Sequence, residues 1–233
     1  MIDFKKAKEE FINCAYNIKY DTTAGEVDYK IISEKNHLHI YFMCSDSLKY
    51  RRGWIDWVRN FWFFPKRKKP YKGMKDAFYV HSGFLSAWKE VEDTIINEIT
   101  KKDADGQYAY DRITVVGYSH GAALACLCHE CCWYHRSDLG EGLLTYAFES
   151  PRVYGGFKTK KSLKERWGTC YVFRNGNDLV TRCPPRILGF SHVGNLIKLD
   201  GDPNLIDAKV LKCIKYHYHK CVIDGLEKAC EKK

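Results

Sequence analysis

The sequence predicts an α/β domain with a mostly parallel central sheet flanked by helices, and three observations carry that prediction. The β-type runs "ITVV" at 113–116, "LLTYAF" at 143–148 and "CYVF" at 170–173 are separated by helical or looped segments, the alternation expected when crossovers join parallel strands. Apolar residues recur at helical spacing near both ends of the chain. The length of 233 residues is enough to bury a sizeable core without a disulfide or a metal, and no repeat, low-complexity tract or linker divides it, so a single domain over 1–233 is expected.

In chain order, Phe4, Ala7, Phe11, Ile12 and Ala15 mark an amphipathic first helix. "DYKIISE" and "HLHIYFM" follow as two strands of a hairpin across the polar tip "KN", with Leu38, Ile40 and Phe42 alternating in the second. Residues 44–80 read as irregular, aromatic and basic. Ser82 is the expected N-cap of a helix carrying Phe84, Trp88, Val91, Ile95 and Ile99, which "DADG" at 103–106 terminates. "VGNLIKL" at 193–199 is a further strand, and Val222, Leu226 and Ala229 give the last helix its apolar face.

The net charge of +9 is concentrated in two runs, Lys66, Arg67, Lys68 and Lys69, and then "KTKKSLKER" from Lys158 to Arg166. Each is most simply a solvated face. An anionic lipid surface and nucleic acid are the partners such runs suggest, and composition alone does not separate them. No motif such as a helix-turn-helix accompanies the charge, so no nucleic acid partner is expected. Eleven cysteines, an odd number, in a chain opening "MIDFKKAKEE" without an apolar leader, suggest reduced thiols and a cytoplasmic setting. No apolar run approaches the length of a membrane span.

Chemistry enters at "ITVVGYSHGAALA". Gly117, Ser119 and Gly121 spell Gly-x-Ser-x-Gly between a strand and an alanine-rich helix. In that context a tight turn lifts the serine hydroxyl clear of the sheet, and small flanking residues let strand and helix approach. A bland Gly-Ser turn is the competing reading, and the strand-to-helix context favours the nucleophile. A hydroxyl needs a histidine base, and the histidine needs a carboxylate to fix its tautomer. With this elbow the chain order is Ser, then Asp or Glu, then His. Asp178 lies in the Gly/Asn loop of "FRNGNDLVTRCPP", just past the third strand, although a turn aspartate bonding its own backbone reads the same way. Order leaves His192, His217 and His219 as bases, and His192 in "FSHVGNLIKL" directly precedes a strand, which suits a structural role. The amide of His120, next after Ser119, is one expected oxyanion donor.

Several segments together resemble the class 3 (fungal-type) lipases of the α/β-hydrolase fold, over about Leu38 to Leu226. "VVGYSHGAALA" is similar to that family's elbow, "YAFESPRV" to its following strand and turn, and "VFRNGNDLVTRCPP" to its acid loop. "VHSGFLSAW" and "SHVGNLIKL" are similar to its segments before the nucleophile and near the end. The resemblance implies a Ser119, Asp178, His217 triad. Its histidine opens an amphipathic segment, and "HYHKCVIDGL" fits with His217 first, Val222 at plus five and Leu226 at plus nine, His219 being the runner-up. It implies a second oxyanion donor at Ser45 in "FMCSDS", where Met43 and Cys44 depart from the family's Arg and Gly. Glu149, where the family usually has Gly, Ala122 after the elbow and Thr181 in the acid loop are milder departures.

It also implies a lid over the site in "WIDWVRNFWFFPKRKKPYKG", carried by Trp54, Trp57, Phe61, Trp62, Phe63 and Phe64, although these also fit a core helix. Trp62, Phe63 and Phe64 are consecutive, so a helix cannot point all three inward. Cys126, Cys128, Cys131 and Cys132, with His129 and His135, suggest zinc at first sight. Their helix should be buried, where free cysteine packs as a small hydrophobe, and paired C-x-x-C spacing is missing. No metal and no cofactor is expected. The reading is a serine carboxylic-ester hydrolase acting on glycerolipid or other acyl esters, in transient contact with an anionic membrane surface. The alternatives are a small-ester or feruloyl-type esterase and a catalytically weak lipid-surface binding module.

Overall fold

The computed structural model describes residues 2–43, 65–68, 78–155 and 166–232. Its strands, in chain order, are β1 (Asp21–Thr22), β2 (Asp28–Glu34), β3 (His37–Phe42), β4 (Pro65–Lys68), β5 (Phe78–His81), β6 (Arg112–Tyr118), β7 (Leu143–Phe148), β8 (Tyr154–Gly155), β9 (Cys170–Asn175) and β10 (Asn195–Leu199). Seven of them form one sheet in the order β1-β2-β3-β6-β7-β9-β10. The four pairings from β3 to β10 are parallel, and β1 and β2 add antiparallel edges. The fold is α/β with a mostly parallel central sheet, as the alternation of runs predicts. The β2–β3 hairpin turns at the expected "KN" tip, where Lys35 adopts φ 54°, the left-handed region that a two-residue hairpin loop requires.

Helices cover both faces. On one side lie α1 (Phe4–Ile12) and the last helix, numbered α5 (His219–Glu231); on the other lie α2 (Ser82–Ile99) and α3 (His120–His135). The short α4 (Lys212–Lys215) precedes α5. Asp3 caps α1 by accepting the N–H groups of Lys5 and Lys6 at 2.9 and 3.1 Å, which satisfies two orphan donors of the first turn. Phe11 then reaches the sheet and meets Tyr118 and Phe148 edge-on, with ring centroids 5.6 and 4.9 Å apart. Trp88, Val91, Ile95 and Ile99 of α2 are all buried on the opposite side, each such side chain contributing roughly 1.5–3 kcal/mol. Helix α3 is buried from Gly121 to Cys132 because it lies directly on β6 and β7 under α2. A helix in that position is mostly apolar all round, and the two polar side chains buried in this stretch are paired, His129 with the Thr145 hydroxyl and the Arg166 carbonyl and Glu130 with the Arg166 guanidinium.

Two details differ from the sequence expectation. The cap of α2 is His81 rather than Ser82, its Nδ1 accepting the Gly83 N–H at 3.2 Å; an imidazole nitrogen one residue upstream reaches the same orphan amide that a serine oxygen would. Within 44–80, expected to be irregular, β4 and β5 pair antiparallel, and β5 also pairs with β8 in a separate three-stranded sheet. The strands are short, and β8, far from β5 in sequence, is only two residues long, so no local periodicity announces the sheet.

Candidate active site

The site assembles at the carboxyl ends of β6, β7 and β9. Strand β6 ends at Tyr118, and Ser119 turns the chain with φ 57° and ψ −119° before α3 begins. The turn needs its glycines. A Cβ at Gly117 would lie 2.3 Å from the Gly121 carbonyl oxygen, and one at Gly121 would lie 2.3 Å from that of Phe42. The Ser119 N–H donates to the Phe148 oxygen at 2.9 Å, so the strained residue stays tied to β7. Ser119 is fully buried.

Beyond β9 the chain turns through Gly176 and Asn177 to Asp178, also fully buried. Asp178 Oδ1 accepts the Val180 N–H at 3.0 Å, and the Thr181 hydroxyl donates to the Asp178 carbonyl at 2.9 Å. Its Oδ2 lies 2.7 Å from His217 Nδ1, and His217 Nε2 lies 2.8 Å from Ser119 Oγ. An ionised Asp178 can only accept, so Nδ1 carries the proton and Nε2 presents its lone pair to the serine hydroxyl. The structure thus brings Ser119, His217 and Asp178 into one hydrogen-bonded chain, with His217 in the bend between α4 and α5.

Three residues that sequence reasoning did not single out as positioning groups hold this chain. The Tyr118 hydroxyl donates to the His217 carbonyl oxygen, and its ring stacks on the imidazole with centroids 5.2 Å apart. Asn175 Nδ2 donates to the Tyr216 carbonyl at 2.9 Å while its Oδ1 accepts the Gly201 N–H at 2.7 Å, tying the acid loop to the His217 bend. Glu149, at φ 52° immediately after β7, is fully buried, and its Oε1 accepts the Asn175 N–H at 2.8 Å. Its carboxyl, Asp178 and His217 offer atoms all within 4.8 Å of one another, the only such group of possible metal ligands among the described residues. Burial, and then the neighbouring Asp178, push the Glu149 carboxyl well above the usual range. The shift favours the neutral form of Glu149 beside Asp178, because two buried carboxylates at such close range oppose each other's ionisation, and its Oε2 is buried without a hydrogen-bond partner among the described residues.

The other expected residues divide. The His120 amide, at the start of α3, has no hydrogen-bond partner among the described residues, as an oxyanion donor at a helix N-terminus should. The His120 ring packs 5.5 Å from Phe84, and burial, reinforced by His81, lowers its pKa to about 4. His219 does not reach Ser119. It opens α5 within an aromatic nest of Phe11, Tyr16 and Tyr118, where burial and then His217 lower its pKa to about 4. His192 binds the Thr181 carbonyl through Nε2 at 2.8 Å. Ser45 and the lid residues Trp54, Trp57, Phe61, Trp62, Phe63 and Phe64 lie outside the described residues. In the cysteine cluster, both His129 nitrogens are occupied, Nδ1 by the Thr145 hydroxyl at 2.8 Å and Nε2 by the Arg166 carbonyl at 2.9 Å.

With this geometry in view, comparison with known proteins is informative. The profile of the family described as Lipase (class 3) matches residues 52–188. A secreted mono- and diacylglycerol lipase of Malassezia restricta is 36% identical over 135 residues, covering 56% of this chain and 38% of that protein. A lipase of Rhizomucor miehei is 29% identical over 167 residues, covering 70% of this chain and 41% of that one. The chain therefore spans about two fifths of the curated relatives it matches. Among solved structures, the triacylglyceride lipase of Rhizomucor miehei superposes with a TM-score of 0.63 at 22% identity, over 90% of this chain and 82% of that one, a likeness of fold.

These relatives correct the cytoplasmic expectation, since those of Malassezia restricta, Fusarium solani and Penicillium cyclopium are named as secreted lipases. The physical reason lies in the thiols. All ten described cysteines are free and seven are buried, so packing in the interior accounts for them and their number says nothing about the redox state outside.

Proposed function

This chain belongs to the class 3 lipase family, and from that premise we propose that it is a serine carboxylic-ester hydrolase acting on acylglycerols at a lipid surface. Ser119 Oγ attacks the ester carbonyl as His217 Nε2 takes its proton, and His217 then returns the proton to the leaving alcohol. Asp178 holds the imidazole tautomer and stabilises the cation formed in that step. The His120 amide receives the tetrahedral oxyanion, with Ser45 as second donor on the strength of the sequence. Water repeats the cycle on the acyl-enzyme.

The observation that carries this reading is the buried chain from Asp178 Oδ2 through His217 to Ser119 Oγ, with contacts of 2.7 and 2.8 Å. The substrate class rests on relatives named as mono- and diacylglycerol lipases. Burial of Ser119 supports a lid, because an ester can reach Oγ only if whatever covers it moves. The aromatic segment at 54–64 would serve, its side chains entering the lipid and the adjacent Lys66 to Lys69 run facing anionic headgroups.

The test is a turnover screen of glycerol esters with acyl chains from C2 to C18, run beside Ser119→Ala. Turnover abolished by the substitution supports the reading. Salt-sensitive vesicle binding that persists in Ser119→Ala, with no turnover by the wild type, replaces it with a lipid-binding module. Replacing Trp62 and Phe63 by Ser should lower activity on aggregated long-chain esters and spare a soluble short-chain ester; equal losses would make a small-ester esterase the better reading.

A further inference from the structure

Behind the acid loop lies a cavity of about 410 Å³ lined by Arg152, Arg174, Arg182, Arg186, His192 and Lys198, with Leu196 beside them. We propose that this cavity is a binding site for a phosphate group carried by a small ligand, separate from the ester site.

The lining is cationic and holds no carboxylate. Arg152 follows β7, Arg174 belongs to β9 and Lys198 to β10, while Arg182 and Arg186 sit on the two short turns Val180–Arg182 and Arg186–Leu188. Separate elements thus converge on one space. Arg152 is only 8% exposed and already has a structural task, since its Nη1 donates to the Arg182 carbonyl and, at 2.8 Å, to that of Pro184. Its Nε is buried without an acceptor, and so is that of Arg174. Neither the Arg174 nor the Arg186 side chain has a hydrogen-bond or ion-pair partner among the described residues, and Arg182 donates to Asn177 Oδ1. Guanidinium groups crowded without acids repel one another, and the protein registers it. Burial and then the other arginines lower the Arg152 pKa. Burial, with further lowering by Arg152, Arg174 and Arg186, takes His192 to about 4 against the raising effect of its Thr181 bond. An anion in the cavity would supply both the missing acceptors and the missing charge.

The chemistry selects phosphate. One carboxylate saturates a single guanidinium fork, whereas a phosphomonoester offers three terminal oxygens and close to two charges. With His192 Nε2–H committed to Thr181, its neutral Nδ1 is a lone pair, able to accept from an ester hydroxyl on the same ligand. The volume lies in the range of small-molecule pockets, which suits a headgroup-sized ligand and is too small for a nucleic-acid strand. The phosphate could be that of a lipid headgroup or of a soluble phosphomonoester.

Glycerol 3-phosphate should be titrated into the full chain at constant ionic strength, with chloride and acetate as controls, while thermal unfolding is followed. At ~100 times its Kd the ligand should raise Tm by about 5 °C beyond both controls. Arg174→Gln/Arg186→Gln should weaken Kd by at least ~10-fold and leave turnover of a soluble ester unchanged, because two charge-assisted donors are lost outside the ester site. Arg174→Lys/Arg186→Lys keeps the charge without the forks and should fall between. Flotation with phosphatidylcholine vesicles, with and without phosphatidic acid, separates the sources. Release of the glutamine variant from the acidic vesicles assigns a lipid headgroup, and unchanged vesicle binding beside the Kd loss assigns a soluble phosphomonoester. A Tm response no larger than that to chloride or acetate overturns the proposal, as does an equal response from wild type and the glutamine variant.

Discussion

The turns that follow β6 and β7 use the same backbone device for different ends. Strands β6 and β7 are parallel neighbours with Tyr118 opposite Phe148, and the next residue on each, Ser119 or Glu149, is a buried non-glycine at φ 57° or 52°. Each also sends its N–H to a carbonyl of the adjacent strand, Ser119 to Phe148 and Glu149 to Phe173. Such a residue stores on the order of 1–3 kcal/mol of strain, so one beside another calls for compensation from its surroundings. Around Ser119 that compensation is steric, with Gly117 and Gly121 letting α3 pass close. Around Glu149 it is polar, through the Asn175 amide and the approach to Asp178. The same left-handed φ thus delivers a hydroxyl to the His217 imidazole after one strand and a carboxyl to the Asn175 amide beside Asp178 after the next.

Substitutions at these turns and their partners would break or sharpen the contrast, and the largest effect is at the hydroxyl. Ser119→Ala should lower ester turnover by ~10⁶ while circular dichroism and Tm stay near wild type. Next comes the carboxylate, where Asp178→Asn should cost roughly 10⁴ in kcat by favouring the wrong imidazole tautomer. His217→Ala should be nearly inactive and His219→Ala should retain most activity, since the latter ring packs among aromatics away from Ser119. Gly121→Ala should cost about 1–3 kcal/mol in denaturant unfolding, because its Cβ would strike the Phe42 carbonyl with no flexible side chain to yield.

The smallest effect is at Glu149 and depends on pH. Its folded-state pKa lies above the unfolded value, so its contribution is fully present below the ordinary carboxylate range and is lost as pH rises toward the folded pKa. Glu149→Gln, which stays neutral and can still accept the Asn175 N–H, should therefore be more stable than wild type at neutral pH. The difference should shrink to nothing as pH falls to about 4. A difference that stays constant with pH would show that Glu149 is ionised, and the two turns would then differ in charge as well as in shape.

The same two turns show what a sequence discloses. Ser119 is legible because its compensation is written locally, as glycines at fixed offsets between a strand and a helix. Glu149 stands out only as a departure from the family, since its partners Asn175 and Asp178 come from a strand and a loop more than 25 residues downstream. His217 illustrates an intermediate case. Chain order narrows the bases to three, the resemblance selects one register, and only the packing of His219 against Phe11 and Tyr118 explains physically why the neighbouring histidine is occupied elsewhere. The central sheet from β2 to β10 is legible for the reason the elbow is, its strands being local β-type runs, whereas the edge strand β1 is an exposed Asp-Thr pair that no such run marks. The β4-β5-β8 sheet and the arginine cavity are not, because each joins short pieces that meet only in three dimensions.

The central claim is that the left-handed turn after β6 presents an activated serine. The most direct measurement is reaction of the wild type and Ser119→Ala with a fluorophosphonate, followed by peptide mapping of the adduct. The account predicts one adduct on the peptide containing Ser119, its formation slowed strongly in His217→Ala and absent from Ser119→Ala. Equal labelling of wild type and Ser119→Ala, or an adduct mapped to another serine, would contradict it.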